Sequence, residues 1–356
     1  MQVSFEPHAS IDVDAEIQRS IDSFFDQRIE IAQGLGGQYG ALWQAARQAS
    51  EGGKKLRPAL VVSVYREFAG NQITHAVSAA TAFELLHTAF LMHDDVIDQD
   101  TVRRGRLNIV GSFAEVAADR GASNADALLW GQASAILAGD LLIQAAQSTL
   151  ARLPICENQR LALLDLFDHC VFVTAAGELA DVAFATGAES PDLTDVLAMA
   201  EQKTASYSFE GPLQAGAILA DAGPDALKAL GEFGRLVGTA FQLRDDILGV
   251  FGDEQVTGKS VVSDLRAGKI TALVAYALRS NHADDLKQLL ARAEGVDADG
   301  DVVRGILEQC GARSFVEGLI ADHVHRAIEL LETPALPASL QIKLRDVARR
   351  ATERLR

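Results

Sequence analysis

Apolar residues recur at intervals of three and four along most of the chain, as at Phe233, Val237 and Phe241. Because an α-helix turns once in about 3.6 residues, this spacing predicts amphipathic helices. The strict alternation that is typical of strands is nearly absent, and glycine or proline marks the connections, for example at Gly52-Gly53. No linker-like segment divides the pattern. It therefore predicts an all-α helical bundle in which residues 1–356 form a single domain.

Two stretches depart from the helical pattern. We expect Met1–Asp14 to be mobile and Ala117–Asp126 to be a surface insertion. The first stretch lacks the basic and apolar regions of a signal peptide. No apolar run approaches the roughly 18 residues that suggest a membrane span. The sequence therefore predicts no integral membrane segment.

The charge balance limits the possible partners. The chain has 32 Lys+Arg against 49 Asp+Glu, a formal net charge of −17. Such acidity argues against nucleic-acid binding and against attachment to anionic lipid by a basic face. It still allows anionic substrates, because a divalent metal can join them to carboxylates. The three cysteines have no CxxC spacing, which predicts a reducing, cytoplasmic location.

A first acidic cluster follows a mostly apolar stretch. Asp94, Asp95 and Asp98 form a DDxxD pattern, in which Asp94 and Asp98 share one helical face. Grouped carboxylates repel one another unless a hard cation such as Mg²⁺ binds between them. A solvated helix end is the alternative. However, Phe83 and His87 lie upstream on the same stripe, which predicts an apolar pocket with a metal-binding rim.

A second acidic pair ends another apolar helix. Asp245 and Asp246 lie in FQLRDDILG, where Gln242 shares a helical face with Asp245. Two such helices in one bundle can bring their carboxylates together across a cavity. A third pair, Asp284-Asp285, lacks the apolar lead-in and is interpreted as the start of a helix.

Basic residues accompany these acids in glycine-containing turns and in one helical stretch. Each alone is more often a solvated turn or a surface ion pair than a site. Together with metal-binding carboxylates, lysine and arginine are suited to holding diphosphates. The basic residues are Lys54, Lys55, Arg57, Arg103, Arg104, Arg106, Lys203, Lys259 and Lys269.

The ordered set of motifs resembles the trans-type isoprenyl diphosphate synthases, also called polyprenyl synthetases. The matching elements are GGKxxRP, DDxxD followed by RRG, GExxD, KT, FQxxDD and DLxxGK, which run from about Glu51 to Thr271. The resemblance implies a helical bundle around a central apolar cavity. It also implies a Mg²⁺-dependent condensation of isopentenyl diphosphate with an allylic diphosphate, and a homodimer.

The resemblance also implies roles for individual residues. The expected metal ligands are Asp94, Asp95, Asp98, Asp245 and Asp246. The residues expected to hold isopentenyl diphosphate are Lys54, Arg57, His87 and Arg104. Those expected to contact the allylic diphosphate are Arg103, Lys203, Lys259 and Lys269. Beside the reacting carbons we expect Gln242, Thr204 and Lys203. Glu178 and Asp181 match a pocket-wall element of the family, with glutamate in place of glutamine.

The chain departs from the family pattern at a few positions. Gly249 replaces the third aspartate of the second acidic motif, Lys55 stands where arginine is usual, and Leu107 and Val110 replace the usual proline and histidine. None of these changes removes a core ligand, so we expect activity. With Gly249 in place of the third aspartate, metal binding at the second motif would rest on Asp245 and Asp246.

The side chains that line the pocket stripe should set the product length. They are Phe83, Leu86, Ala89 and Phe90. Ala89 is small whereas Phe90 is bulky, and we expect a short product, with geranylgeranyl diphosphate favoured over farnesyl diphosphate. Bulk at these positions would stop the growing tail.

Three other functions are compatible with a helical bundle of this kind. A class I terpene cyclase should carry a different second motif and no GGKxxRP element. A head-to-head synthase of the squalene or phytoene type also lacks that basic element. A non-catalytic partner subunit of a synthase should have lost metal ligands, whereas both acidic pairs are present here.

Overall fold

The computed structural model describes residues 12–252, 268–292 and 300–352. The described residues are almost entirely helical, which confirms the predicted all-α fold. The elements are α1 (Val13–Gln33), α2 (Gly37–Ser50), α3 (Leu56–Glu67), α4 (Ile73–Ile97), β1 (Val102–Arg103), β2 (Arg106–Leu107), α5 (Ile109–Asp119), α6 (Asn124–Ala151), α7 (Glu157–Ala185), α8 (Leu193–Ala200), a π-helical segment (Glu201–Glu210), α9 (Gly211–Leu219), α10 (Pro224–Phe251), α11 (Ala272–Ala277), α12 (Ala283–Arg292), α13 (Gly300–Gln309), α14 (Ala312–Leu330) and α15 (Ala338–Thr352).

Local sequence explains where several helices begin. The Asp12 carboxylate caps α1 by accepting a hydrogen bond from the Ala15 backbone N–H. Ser123 caps α6 in the same way, and Pro224 occupies the first turn of α10. Asp12 therefore caps α1, and Val13 and Asp14 already belong to it, whereas residues 1–11 of the stretch expected to be mobile lie outside the described residues. Residues 117–126 comprise the end of α5, a short exposed turn and the first turn of α6.

Helix α4 runs through the centre of the bundle. It is apolar on nearly every face and packs against α1, α3 and α6, so that its side chains are buried along almost its whole length. The end of α4 differs from the rest in polarity, because it carries the DDxxD carboxylates. A buried, rigid helix thereby presents the DDxxD carboxylates at a fixed position.

Helices α8 and α9 and the π segment between them form one continuous rod. The π segment packs against both α7 and α10, and glycines allow the close approach. A Cβ at Gly177 would overlap the Lys203 backbone nitrogen, and one at Gly238 would overlap Ala205. Gly177 and Gly238 therefore mark where α7 and α10 come close to the backbone of the π segment. Widened helical turns of this kind occur often at functional sites.

Helix α6 is long and apolar enough to cross a membrane by length and composition alone. The core helix of a bundle passes the same test, and one such helix is weak support for a membrane span. Here α6 packs along α4 and α5, with Leu142 and Leu150 fully buried. The packing is that of a bundle helix whose remaining face is apolar and exposed.

Candidate active site

The DDxxD carboxylates bind cationic side chains at the end of α4. Asp95 is buried and accepts a hydrogen bond from Arg103 Nε at 2.7 Å. Asp94 accepts one from Arg103 Nη2 at 2.8 Å, and Asp98 accepts one from Lys269 Nζ at 2.6 Å. The three aspartates thus lie together at the end of α4, where Asp94 and Asp95 both bind Arg103.

A tight hairpin returns Arg103 to these aspartates. Strands β1 and β2 pair antiparallel, with Val102 opposite Leu107. The turn between them consists of Arg104 and Gly105, both with positive φ, at 53° and 72°. Two left-handed residues form the kind of turn that matches the twist of a two-residue hairpin. This geometry directs the two adjacent arginines to different surfaces.

Lys203 lies among a group of carboxylates near the end of α4, which form the acidic side of a cleft. Its Nζ lies 2.6 Å from Asp181 Oδ2, 2.9 Å from Glu178 Oε2 and 3.6 Å from Asp94 Oδ1. The glycine at position 177 allows this approach, because it lets α7 pack against the backbone at Lys203. Lys203 therefore connects the pocket-wall pair expected at Glu178 and Asp181 to Asp94 of the first acidic cluster.

These contacts set the charges of the acidic side. Burial would raise the pKa of Asp94, but the nearby Lys203, Arg103 and Lys269 lower it below its usual value. Burial raises the pKa of Asp95 to about 6, against the opposing effect of Arg103. Burial would lower the pKa of Lys203, yet its carboxylate neighbours raise it instead. Lys203 is therefore a fully charged ammonium at neutral pH.

The second acidic pair connects to Lys203 through its chain neighbour. Thr204 Oγ1 donates to Gln242 Oε1 at 2.6 Å, and Gln242 Nε2 donates to Asp246 Oδ1 at 2.9 Å. Asp245 lines the cleft with Thr204 and Gln242. The structure thus places Lys203 and Thr204 between the two acidic motifs. Lys259 lies outside the described residues.

The opposite side of the cleft is basic. It borders a cavity of about 380 Å³ whose lining includes all four residues expected to bind isopentenyl diphosphate, namely Lys54, Arg57, His87 and Arg104. The cavity also touches Thr204, Gln242 and Asp245. Basic and acidic sides therefore meet at the Thr204–Gln242 pair.

Tyr207 and Ser208 are site residues that sequence reasoning missed. Arg57 Nη2 donates to Ser208 Oγ at 2.7 Å, and the Arg57 guanidinium lies 4.7 Å from the Tyr207 ring centroid. The Tyr207 ring also stacks on His87, with centroids 6.0 Å apart. The available signal was their position one helical turn after Lys203 and Thr204 in KTASYS.

His87 is held in its neutral form. Burial lowers the pKa of His87 well below its usual value, and the charge of Arg57 lowers it further. A neutral imidazole has one donor and one acceptor nitrogen, so His87 can orient a polar group without adding charge.

The four stripe residues precede the DDxxD aspartates on α4. Phe83, Leu86 and Ala89 are fully buried, and Phe83 packs edge-on against Phe167 with centroids 6.4 Å apart. Phe90 is half-buried and meets the Tyr207 ring edge-on at 4.9 Å. Phe90 is thus in contact with Tyr207, which also packs on Arg57 and His87.

Comparison with known proteins identifies the family. A model described as polyprenyl synthetase matches residues 41–309. The chain belongs to the polyprenyl synthetase family. It is a prenyltransferase, and the family resemblance seen in its motifs is confirmed.

Curated relatives and a solved structure agree with this assignment. A short chain isoprenyl diphosphate synthase of Methanothermobacter thermautotrophicus is 34% identical over 285 residues, which are 79% of this chain and 80% of that protein. A (2E,6E)-farnesyl diphosphate synthase of Mycobacterium bovis is 32% identical over 312 residues, 85% of this chain and 80% of that protein. A geranylgeranyl pyrophosphate synthase of Corynebacterium glutamicum, complexed with isoprenyl diphosphate and magnesium, superposes with a TM-score of 0.87 at 26% identity and covers 97% of this chain and 100% of that one.

Proposed function

We propose that this polyprenyl synthetase condenses isopentenyl diphosphate with allylic diphosphates to make a short all-trans prenyl diphosphate, with geranylgeranyl diphosphate favoured over farnesyl diphosphate. The observation that carries the proposal is the two-sided cleft. Its basic side and its acidic side meet at Thr204 and Gln242. Two different diphosphates can therefore be held with their reacting carbons between them.

The basic side suits a diphosphate that is held without metal. Lys54 is exposed at its rim, and Arg57 is fixed from behind by Tyr207 and Ser208. A guanidinium held in this way can bind phosphate oxygens at little entropic cost. We assign isopentenyl diphosphate to this side, with His87 and Arg104 completing the contacts.

The acidic side suits a diphosphate that is bound through Mg²⁺. Within the described residues, no three acidic, histidine or cysteine side chains converge as a metal cage. The donor set still fits, because hard carboxylate oxygens bind Mg²⁺ that takes its remaining ligands from substrate phosphates. The residues that would hold the metal are Asp94, Asp95, Asp98, Asp245 and Asp246. When bound there, Mg²⁺ would supply positive charge to neutralise the departing diphosphate.

The cations on this side then have a defined task. Arg103, Lys203 and Lys269 pair with aspartates and can turn toward the allylic diphosphate, with Lys259 as a further expected contact. They stabilise the negative charge that develops when the allylic C–O bond breaks. The isopentenyl double bond then attacks the allylic cation, and the released diphosphate accepts the proton that the new product loses. No protein nucleophile is required.

A direct assay tests this function. Purified protein is supplied with MgCl₂, labelled isopentenyl diphosphate and each allylic starter in turn, and the products are sized by chromatography. We expect elongated prenyl diphosphates. Release of a hydrocarbon without isopentenyl diphosphate would instead indicate a cyclase. No turnover with any starter would overturn the proposal and favour a partner subunit.

Replacing Phe90 with alanine should lengthen the product by at least one isoprene unit. The ring is half-buried at the head of the stripe and packs on Tyr207, so its loss opens space between the cleft and Leu86. Chromatographic sizing of the products measures the change. Phe24→Ala, which removes a partly buried ring of α1 instead, is the matched control. An unchanged product length in Phe90→Ala would show that another residue stops elongation.

We further propose that the protein is a homodimer that pairs through α6 and α7. Leu129 and Ile136 lie seven residues apart on α6, and Phe172 and Leu179 do so on α7; all four are exposed, with Phe172 at 75%. Apolar rows of this size on neighbouring helices are typical of surfaces that a second copy covers. In such a dimer, the exposed apolar face of α6 forms part of the interface between the two subunits.

A double variant, Leu129→Glu with Phe172→Glu, should elute as a monomer. Each new carboxylate would have to lose its water in an apolar contact, which is strongly unfavourable. Size-exclusion chromatography with light scattering gives the mass. Ile342→Glu places the same charge at an exposed position of α15 and should leave the dimer intact. A dimeric double variant would exclude this face.

A further inference from the structure

The glycine turn between α2 and α3 is held from the inside by Lys55. Gly52 and Gly53 have φ of 74° and 71°, and Lys55 itself has φ of 46°. A left-handed conformation is unfavourable for lysine and needs compensating contacts. Lys55 Nζ supplies them by donating to the Ser50 carbonyl at 2.5 Å and to Glu84 Oε1 at 2.8 Å.

Glu84 is a carboxylate within the apolar core. Its side chain is only 7% exposed, it lies on α4 one turn before His87, and it borders the cleft cavity. Its second oxygen, Oε2, is buried and has no hydrogen-bond partner among the described residues. Glutamate is rarely buried unless it is paired, and a buried ion pair adds little to stability compared with apolar packing. The Lys55–Glu84 pair therefore calls for a role other than stability.

The two adjacent lysines of the turn face opposite ways. Lys54 is exposed at the rim of the basic side, whereas Lys55 points inward to Glu84. Arg104 holds the outer surface of the same turn, since its Nη1 donates to the Glu51 carbonyl at 3.1 Å. The backbone between Glu51 and Lys55 is thus fixed from both sides.

We propose that Glu84 is a positioning residue for the basic side of the cleft. Through Lys55 it fixes the glycine turn on α4, so that Lys54 and Arg57 face the metal-free diphosphate. Because α4 also carries His87 and Asp94, the same helix keeps the basic side in register with the acidic side. The inference rests on the proposed function for its substrate, and on the hydrogen bonds of Lys55 for its geometry.

Removal of either partner should weaken one substrate selectively. In Glu84→Gln and in Lys55→Met we expect the KM for isopentenyl diphosphate to rise about tenfold, which is the usual consequence of losing one charge-assisted hydrogen bond. The KM for the allylic substrate and kcat should change less than about twofold, because these residues do not touch that side. The double variant should be no worse than the poorer single variant, since both act through one contact.

Two further variants separate positioning from simple structural support. Lys55→Arg should retain the wild-type KM, because a guanidinium can donate to both Glu84 oxygens. Glu67→Gln removes the Lys343 ion pair at the far end of α3 and is the matched control. It should lower the melting temperature without changing either KM. If Glu84→Gln and Lys55→Met lowered only the melting temperature, the positioning role would be wrong.

Calorimetric binding of isopentenyl diphosphate and of inorganic diphosphate distinguishes this inference from the proposed function. A wild-type protein that binds isopentenyl diphosphate but does not condense it would overturn the function alone. In that case Glu84→Gln should still bind about tenfold more weakly. Equal binding by the wild type and the variant would overturn the positioning role alone. Absence of binding by the wild type would overturn both.

Discussion

Replacing Asp94 with alanine should reduce kcat/KM for condensation by about 10³-fold or more, because it removes a proposed ligand of the Mg²⁺ that would stabilise the departing diphosphate. Asp94 lies between Arg103 and Lys203, with its two oxygens directed to different cations. Its loss removes an expected Mg²⁺ ligand and leaves both cations with other partners, so the fold should persist. Steady-state kinetics with labelled isopentenyl diphosphate measures the effect.

Two controls sharpen the Asp94 result. Asp284→Ala removes an exposed aspartate from the third Asp-Asp pair, at the start of α12, and should leave kcat/KM unchanged. Asp95→Asn should behave differently from Asp94→Ala, because buried Asp95 also orients Arg103. We expect it to lower the melting temperature as well as activity. An Asp94→Ala variant with a tenth or more of wild-type activity would contradict the metal assignment.

The helical fold was accessible from the sequence, but the π segment was not. Three- and four-residue spacing records which face of a helix is buried, and it predicted the bundle and the helix that ends in DDxxD. The widened turns at Glu201–Glu210 depend on packing against α7 and α10, which glycines at positions 177 and 238 permit. Close approach between distant helices leaves no periodic signal along the chain.

The charged residues of the site were also predictable, whereas their pairing was not. Grouped aspartates and basic turns point to metal and diphosphate from chemistry alone. Which carboxylate meets which cation depends on a left-handed turn at Arg104 and on the path of the π segment. Tyr207 was missed for the same reason, since its contacts to Arg57 and Phe90 exist only in three dimensions.

Pairing between the clusters changes how the acidic side should be understood. The sequence suggested carboxylates whose repulsion only a metal would relieve. In the described residues, however, Arg103, Lys203 and Lys269 already form ion pairs with them. Binding of a metal-diphosphate would then exchange partners: aspartates pass to the metal and the cations pass to the phosphates. The exchange keeps total charge nearly balanced at each stage, which limits the cost of burying these groups.

Lys203→Gln should therefore have two opposite effects. Condensation should fall by about 10²- to 10³-fold, because an ammonium that stabilises the departing diphosphate is lost. In the absence of substrate, however, Mg²⁺ should bind more tightly than to the wild type. Three carboxylates, Asp94, Glu178 and Asp181, lie within 3.6 Å of Lys203 Nζ, and removing that charge leaves their repulsion for the metal to relieve.

Melting curves with and without MgCl₂ measure the second effect, since a ligand that binds the folded state raises the melting temperature by an amount that grows with its affinity. Without metal, the variant should melt below the wild type, because the three carboxylates have lost their common partner. With Mg²⁺ it should gain more than the wild type gains. Lys228→Gln changes the same charge at an exposed position of α10 and should show neither effect. Equal Mg²⁺ shifts in Lys203→Gln and the wild type would mean that Lys203 does not compete with the metal, and that the exchange of partners does not occur.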